Sequence, residues 1–334
     1  MSPEIELKLA MAPEDLRRLG RHPLLRSLAQ GRRTRKQTLV ALYYDTPDRR
    51  LAAGGMALRV RGDGKRFIQT LKAPAPDAAS GLQRLVEFET GVPGEALDLS
   101  LITDPAIAAL LAEPEVGPRL APVFATRIER RLLPLRFLDS EIELAMDTGE
   151  VRAGALAEPI SEAEFELKSG RPERLWQLAL ALSDTLDLRL ETRSKAARGH
   201  ALAAGTVPGP TLAARLALPA EATAGAARPA RLRNGLDPLP ADQRAVLSGT
   251  PDPEGIHQLR VAVRRLRAAL ALFRPILAPA VADWLAVELD WLQGALGPAP
   301  GWALLHPHPL GPLPLPPPGE SGLRPLVAPA AAGR

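Results

Sequence analysis

Glu4-Ile5-Glu6-Leu7-Lys8-Leu9 alternates charged and apolar residues without a break. Successive side chains of a strand point to opposite faces, so Glu4, Glu6 and Lys8 share one face while Ile5, Leu7 and Leu9 share the other. One such strand is also what an ordinary half-buried sheet shows, with its charges in water. Repetition separates the two readings. Glu164-Phe165-Glu166-Leu167-Lys168 writes the pattern again, and similar alternation recurs at Arg59-Val60-Arg61, Val86-Glu87-Phe88-Glu89, Arg127-Ile128-Glu129 and Glu141-Ile142-Glu143. Several strands with both signs of charge on one face predict a sheet curled around a charged interior.

A chain of 334 residues has room for two domains, at about 100–200 residues each. Its net charge of +4 excludes a broad basic surface for duplex nucleic acid. There is no cysteine, which excludes disulfides and thiolate chemistry, and the five histidines do not stand at zinc-site spacing. With neither a basic-then-apolar leader nor a run of eighteen apolar residues, the expectation is a cytoplasmic protein with no membrane partner.

Outward from the first strand, residues 13–29 read as two short helical turns split at Pro23. Residues 32–36 form a basic run suited to a solvated loop. Residues 37–46, rich in β-branched and aromatic side chains, read as a strand, and residues 56–72 as a hairpin around Gly62-Asp63-Gly64-Lys65. Asp104-Pro105 caps a short helix. Strands are expected at 85–89, 124–133, 140–146 and 163–168, with Asp147-Thr148-Gly149-Glu150 as a turn, then a helix within 171–188.

Arg59 and Arg61 lie on one strand face, and planar guanidinium forks grip phosphate oxygens well. Spacing alone leaves open a second reading, in which they pair with Glu87 and Glu89 across the sheet. The basic cluster Arg193-Ser194-Lys195-Ala196-Ala197-Arg198-Gly199 either closes a phosphate site or is solvated.

Glu-x-Glu-x-Lys near residue 4, Tyr43-Tyr44-Asp45-Thr46, Leu58-Arg59-Val60-Arg61, a strand ending in Lys72, Glu-x-Glu-x-Lys again at residue 164, and Ser194-Lys195-Ala196-Ala197-Arg198-Gly199 follow one another in this order. Together they resemble the CYTH domain of the triphosphate tunnel metalloenzymes, over residues 1–203. That resemblance implies an α+β fold, a closed tunnel of eight antiparallel strands with charges inside and helices outside. It implies metal-holding carboxylates at Glu4, Glu6, Asp147, Glu164 and Glu166. It also implies phosphate-binding, catalytic cations at Lys8, Arg59, Arg61, Lys72, Arg127 and Lys195, with Lys168 and Arg131 near the matched positions. Mg²⁺ or Mn²⁺ is the implied cofactor, since hard cations prefer oxygen ligands and share them with substrate phosphates.

Residues 204–236 read as an Ala-, Gly- and Pro-rich linker, with one helical turn within 212–218. Residues 253–273 are amphipathic: Ile256, Leu259, Val263, Leu266, Leu270 and Phe273 form one stripe, and His257, Arg260, Arg264 and Arg267 a neighbouring one, with Arg265 close by. A wet bundle face reads the same way. Residues 256–267, behind a CYTH-like segment, resemble the opening of the CHAD helical domain, which implies polyphosphate binding by those five residues. Another helix is expected at 278–296. Residues 298–334 are too dense in proline for helices, so the helical domain is expected to be incomplete at 237–297, its tail disordered and the product of a reading-frame change near Ala299.

The expected function is metal-dependent hydrolysis of inorganic triphosphate. The alternatives are an adenylate cyclase, a triphosphatase for thiamine triphosphate or nucleoside triphosphates, and a non-catalytic polyphosphate binder.

Overall fold

The computed structural model describes residues 4–31, 35–64, 66–74, 83–206, 209, 221, 223–247 and 253–297, and its chain divides into two compact units at residue 207. The first unit runs β1 (Glu4–Ala10), α1 (Pro13–Leu19), α2 (Pro23–Leu28), β2 (Arg35–Asp45), α3 (Arg50–Ala53), β3 (Ala57–Gly62), β4 (Phe67–Pro74) and β5 (Gln83–Val92). It continues with α4 (Pro105–Ala112), β6 (Ala121–Phe137), β7 (Ser140–Ala153), β8 (Leu156–Ser169), α5 (Glu173–Ser183), β9 (Arg189–Leu190) and α6 (Lys195–Ala203). Proline opens α1, α2 and α4, where its missing N–H costs no helical bond. Asp104 caps α4 by accepting from the Ala106 and Ile107 amides, both at 3.1 Å.

The strands form one antiparallel sheet in the order β5-β4-β3-β2-β6-β7-β8-β1-β9, and β1 pairs additionally with β5. This corrects the expected closed eight-stranded tunnel. Among the described residues the sheet has nine strands, and its two ends meet only where residues 4–6 pair with residues 83–85. The reason lies in the outer edge of β1: its second half, at Leu9 and Ala10, is taken by Leu190 and Arg189 of β9. The curl survives without full closure.

On the convex side Leu7, Leu144 and Phe165 are completely buried under Leu19 of α1, Leu25 of α2 and Leu175 and Leu178 of α5. Burying one large aliphatic or aromatic side chain contributes about 1.5–3 kcal/mol, so this layer fixes which strand face turns inward. Leu7 therefore sends Glu6 and Lys8 to the concave side. The expected turn at residues 147–150 is also corrected, because those residues lie within the continuous strand β7. Gly149, at φ 155°, lets the β6 backbone come close: a Cβ there would stand 2.0 Å from the Arg127 carbonyl oxygen. The turn falls instead at Gly154, in the left-handed region at φ 56°.

The second unit contains α7 (Ala224–Leu236), α8 (Leu239–Leu247), α9 (Pro253–Phe273) and α10 (Pro279–Ala295). Residues 224–236 are thus helical, where a linker was expected. Packing overrides the propensity of Pro229, since Gly235 brings α7 against Leu266 of α9 closely enough that a Cβ would lie 2.7 Å from that side chain. Leu259 and Val263 of α9 pack with Leu289 and Leu292 of α10, while Leu272, Val287 and Trp291 remain exposed. The expected helical turn within 212–218 and the expected disordered tail at 298–334 lie outside the described residues. Among the described residues no helix is long and apolar enough to cross a membrane.

Candidate active site

Strand register assembles the concave face. Lys8 lies opposite Glu164, Asp147 opposite Glu162, and Arg130 opposite Asp147, so β1, β8, β7 and β6 present these side chains to one space. Lys195 enters from the first position of α6, whose start is set by Ser194 accepting from the Ala197 amide at 3.0 Å. The helix is seated by its own small residue. A Cβ at Gly199 would stand 2.1 Å from the Phe124 ring.

Asp147, Glu162 and Glu164 bring carboxylate oxygens within 4.8 Å of one another. The Lys195 ammonium lies 2.7 Å from Asp147 Oδ2, 2.5 Å from Glu162 Oε1 and 2.9 Å from Glu164 Oε1. Arg130 donates to Asp147 through Nε (2.8 Å) and Nη2 (2.6 Å), and Nη2 also reaches Glu164 Oε2 at 2.6 Å. Arg198 of α6 meets Glu162 Oε2 at 3.2 Å, and Lys8 stands 3.4 Å from both Glu6 Oε1 and Glu164 Oε1. Asp147 and Glu162 are completely buried. Burial opposes charge on Glu164, yet Lys195, Lys8 and Arg130 outweigh it and hold the carboxyl well below its usual range. Burial likewise works against Lys195, and Asp147, Glu164 and Glu162 overcome it, raising the ammonium well above its ordinary value. Lys8 is raised against its burial by Glu6 and Glu164. An all-oxygen trio of this spacing fits a hard divalent cation.

The facing strands β3, β4 and β5 carry the second group of charges. Arg59 Nη2 stands 3.7 Å from Glu87 Oε1, Lys72 3.2 Å from Glu87 Oε2, and Arg61 3.1 Å from Glu89 Oε1. Of the two readings of Arg59 and Arg61, the structure shows the pairing with Glu87 and Glu89, on the concave face. Arg59 Nη1 also donates to the Tyr43 hydroxyl at 3.2 Å, whereas its buried Nε meets no acceptor among the described residues. Burial and the neighbouring Arg59 hold Arg61 below its ordinary value, and Arg130, two strands away across β2, adds to this.

The structure brings together Glu6, Lys8, Asp147, Glu164 and Lys195 on one wall and Arg59, Arg61 and Lys72 on the other. It leaves others apart. Arg127 is exposed on the convex face of β6, and Arg131 is exposed there too, while Arg130 takes the inward position. Glu166 shares the concave face, opposite Glu6, but pairs with Lys168 at 2.5 Å, and Lys168 also faces Glu143 at 3.5 Å. Glu162, which the resemblance did not single out, joins Asp147 and Glu164 in the trio. The Glu4 side chain lies outside the described residues. Arg130 escapes the sequence reading because Phe124, Thr126 and Ile128, which share its face of β6, are apolar or small and suggest the opposite parity. The signal available was the period of two carried from Phe124 itself.

In the second unit, Arg260 donates to the Gly297 carbonyl and Arg267 to Gln293, with Asp290 2.8 Å from Arg267. These two arginines tie α9 to the end of α10. His257, Arg264 and Arg265 are exposed.

A family model described as CYTH domain matches residues 2–200, and one described as CHAD domain matches residues 230–334. The chain is 33% identical over 205 residues to the inorganic triphosphatase of Haemophilus influenzae, covering 60% of this chain and 55% of that protein. It is 30% identical over 287 residues to an uncharacterized protein of Mycobacterium tuberculosis, covering 78% of this chain and 50% of that one. The chain thus spans about half the length of the curated relatives it matches. Similar solved structures include HpAC1 of Hippeastrum (18% identity, TM-score 0.43, 61% of this chain and 97% of that chain) and a protein of Bacillus halodurans (21%, TM-score 0.40, 59% and 98%).

Proposed function

The chain belongs to the CYTH family, and from that premise we propose that its curled sheet hydrolyses inorganic triphosphate to pyrophosphate and phosphate, using Mg²⁺ or Mn²⁺. The observation that carries this reading is the single concave face on which an oxygen trio, Asp147, Glu162 and Glu164, adjoins Lys8, Arg130 and Lys195 and looks across to Arg59, Arg61 and Lys72. The name of the Haemophilus relative supports the substrate.

Triphosphate carries too much negative charge to enter an acidic site unaided. Arg59, Arg61 and Lys72 bind its oxygens from one wall, with the buried Arg59 Nε as a donor awaiting an acceptor. Lys8, Arg130 and Lys195 approach from the other, neutralising charge that shifts onto the leaving pyrophosphate as the terminal P–O bond breaks. The water oxygen forms the new bond to phosphorus, and its proton leaves to solvent. Asp147, Glu162 and Glu164, with Glu6 beside them, would hold the divalent ion, which supplies Lewis acidity and lowers the pKa of water.

A second reading has its own observation. A cavity of about 560 Å³ lined by Phe67, Ile68, Gly91, Val92 and Arg66 adjoins Glu89 at the end of β4 and β5, giving room for an organic group on the phosphate chain. On that reading the substrate is a nucleoside or thiamine triphosphate. For the second unit, the exposed Arg264 and Arg265 support polyphosphate binding.

The test is to incubate the protein with tripolyphosphate, ATP, thiamine triphosphate and long-chain polyphosphate, each with Mg²⁺, Mn²⁺ or chelator, and to identify the products. Phosphate and pyrophosphate from tripolyphosphate, lost in chelator, are expected. Faster turnover of an organic triphosphate would favour the second reading, cyclic AMP from ATP would replace both by a cyclase, and tight binding without turnover would make the protein a holder of polyphosphate.

A further inference from the structure

Every oxygen of the carboxylate trio already faces a cationic side chain. Asp147 Oδ1 accepts from Arg130, and Oδ2 from Arg130 and Lys195. Glu162 Oε1 meets Lys195, and Oε2 meets Arg198. Glu164 Oε1 meets Lys195 and Lys8, and Oε2 meets Arg130. A divalent ion drawing on these oxygens must compete with a side chain for them. The four competitors are not equivalent. Arg130 is fixed by a bidentate fork from a strand directly opposite Asp147, Arg198 is tied also to Glu158 at 2.9 Å and to the Pro159 carbonyl at 2.5 Å, and Lys8 stands further off. Lys195 touches all three carboxylates, sits at the first position of α6, and has a flexible four-carbon stem with three rotatable donors.

We propose that Lys195 is an internal counter-ion for the Asp147–Glu162–Glu164 trio that a divalent metal must displace, and that the displaced ammonium then turns to the substrate phosphate. This rests on the metal-dependent reading above and deepens it. The charge balance gives the reason for coupling. Three carboxylates are already surrounded by Lys195, Arg130, Arg198 and Lys8, and even with Glu6 beside Lys8 and Glu158 beside Arg198 the surplus is a single negative charge, too little to balance a dication entering alone. Arriving with triphosphate, it brings the anion to which the ammonium can move. Metal and substrate therefore each strengthen binding of the other, by equal factors as linkage requires. Lys195 acts as a positioning residue in metal loading and as a phosphate ligand afterwards.

The opposing expectation is plain: if Lys195 served only to hold the metal site together, removing its charge would weaken metal binding. The experiment is calorimetric titration of Mn²⁺ into the full chain and into Lys195→Met, with and without tripolyphosphate at a temperature where turnover is slow. Lys195→Met should bind Mn²⁺ alone about tenfold or more tightly than the wild-type chain, within the usual range of coupling between sites, and tripolyphosphate should improve its Mn²⁺ affinity less than it does in the wild type. Equal or weaker Mn²⁺ binding by the variant overturns the proposal. If the wild-type chain binds no Mn²⁺ even with tripolyphosphate, the metal-dependent reading itself fails, and this inference with it. A measurement on the unaltered chain guards against a variant that folds poorly. Mg²⁺ alone should speed hydrogen exchange at the first turn of α6, because the anchor of Lys195 is lost, and added tripolyphosphate should slow it again. Exchange in α6 that ignores both additions overturns the proposal.

Discussion

Arg130 and Asp147 stand directly opposite one another across β6 and β7, and the guanidinium closes on the completely buried carboxylate with two hydrogen bonds of 2.8 and 2.6 Å. Removing one partner of such a pair leaves a buried charge with less compensation. Arg130→Ala should lower stability by about 3 kcal/mol, at the lower end for broken buried pairs because Lys195 still faces Asp147. Arg127→Ala, on the exposed convex face, should stay within about 0.5 kcal/mol of the parent. Urea unfolding of both variants decides it, and equal losses would show that the inward position of Arg130 has been misjudged.

The two candidate glutamates of β8 separate by their metal requirement. Changing only the partner of a metal ligand costs about 10–100-fold in affinity, so Glu162→Gln should raise the Mn²⁺ concentration for half-maximal triphosphate cleavage by at least about tenfold. Glu166→Gln, whose carboxylate faces Lys168 at 2.5 Å, should move it far less. The reverse order would return Glu166 to the ligand set in place of Glu162.

Acid should unfold the first unit through its interior. Burial alone would raise Glu164, but Lys195, Lys8 and Arg130 hold it well below the ordinary carboxylate value. The unfolded chain therefore binds a proton first. The stability contributed by Glu164 is fully present above the unfolded value, about 4.3, and is lost as pH falls from there through the lower folded value. In thermal melts with chelator, the drop below about pH 4.3 should be shallower in Glu164→Gln than in the wild type. Parallel curves would mean that Glu164 does not carry this dependence.

Gly199→Ala ought to strengthen an isolated helix, since alanine is the better helix former by about 1 kcal/mol. Here the added methyl would stand 2.1 Å from the Phe124 ring, a rigid neighbour stacked on Tyr43 at 4.5 Å. The variant should instead lose about 1–3 kcal/mol, the usual cost of overpacking, and lose triphosphate cleavage as Lys195 shifts with α6. A stabilised, fully active variant would mean that α6 is not seated against this ring.

Much of the concave face could be read from residue order. Glu6, Lys8, Arg59, Arg61, Lys72, Asp147, Glu164 and Lys195 follow from alternation and from the resemblance, because the period of two is a property of the strand itself. What escaped depended on which face was buried. In β1, β7 and β8 the apolar residues face the helices, but in β6 Phe124 and Ile128 face inward, where Ala196 of α6 packs with them. That reversal sent the reading to Arg127 and past Arg130. Asp147 was expected in a turn because Gly149 follows closely, whereas the glycine admits the neighbouring backbone. The ninth strand, two residues long, has no pattern to detect, and it exists because the edge of β1 was available.

That shared edge also sets a schedule for biosynthesis. β1 is made before every other strand of the unit, yet its neighbours β8 and β9 come more than 140 residues later, and the Glu191 amide then bonds the Lys8 carbonyl at 3.0 Å just before Lys195 arrives. Pairings of such long sequence separation form late and slowly. A nascent chain therefore holds Glu6 and Lys8 apart from Glu162, Glu164 and Lys195 until almost the whole first unit has been translated, so the charged concave face is completed at release of that unit and not during its synthesis.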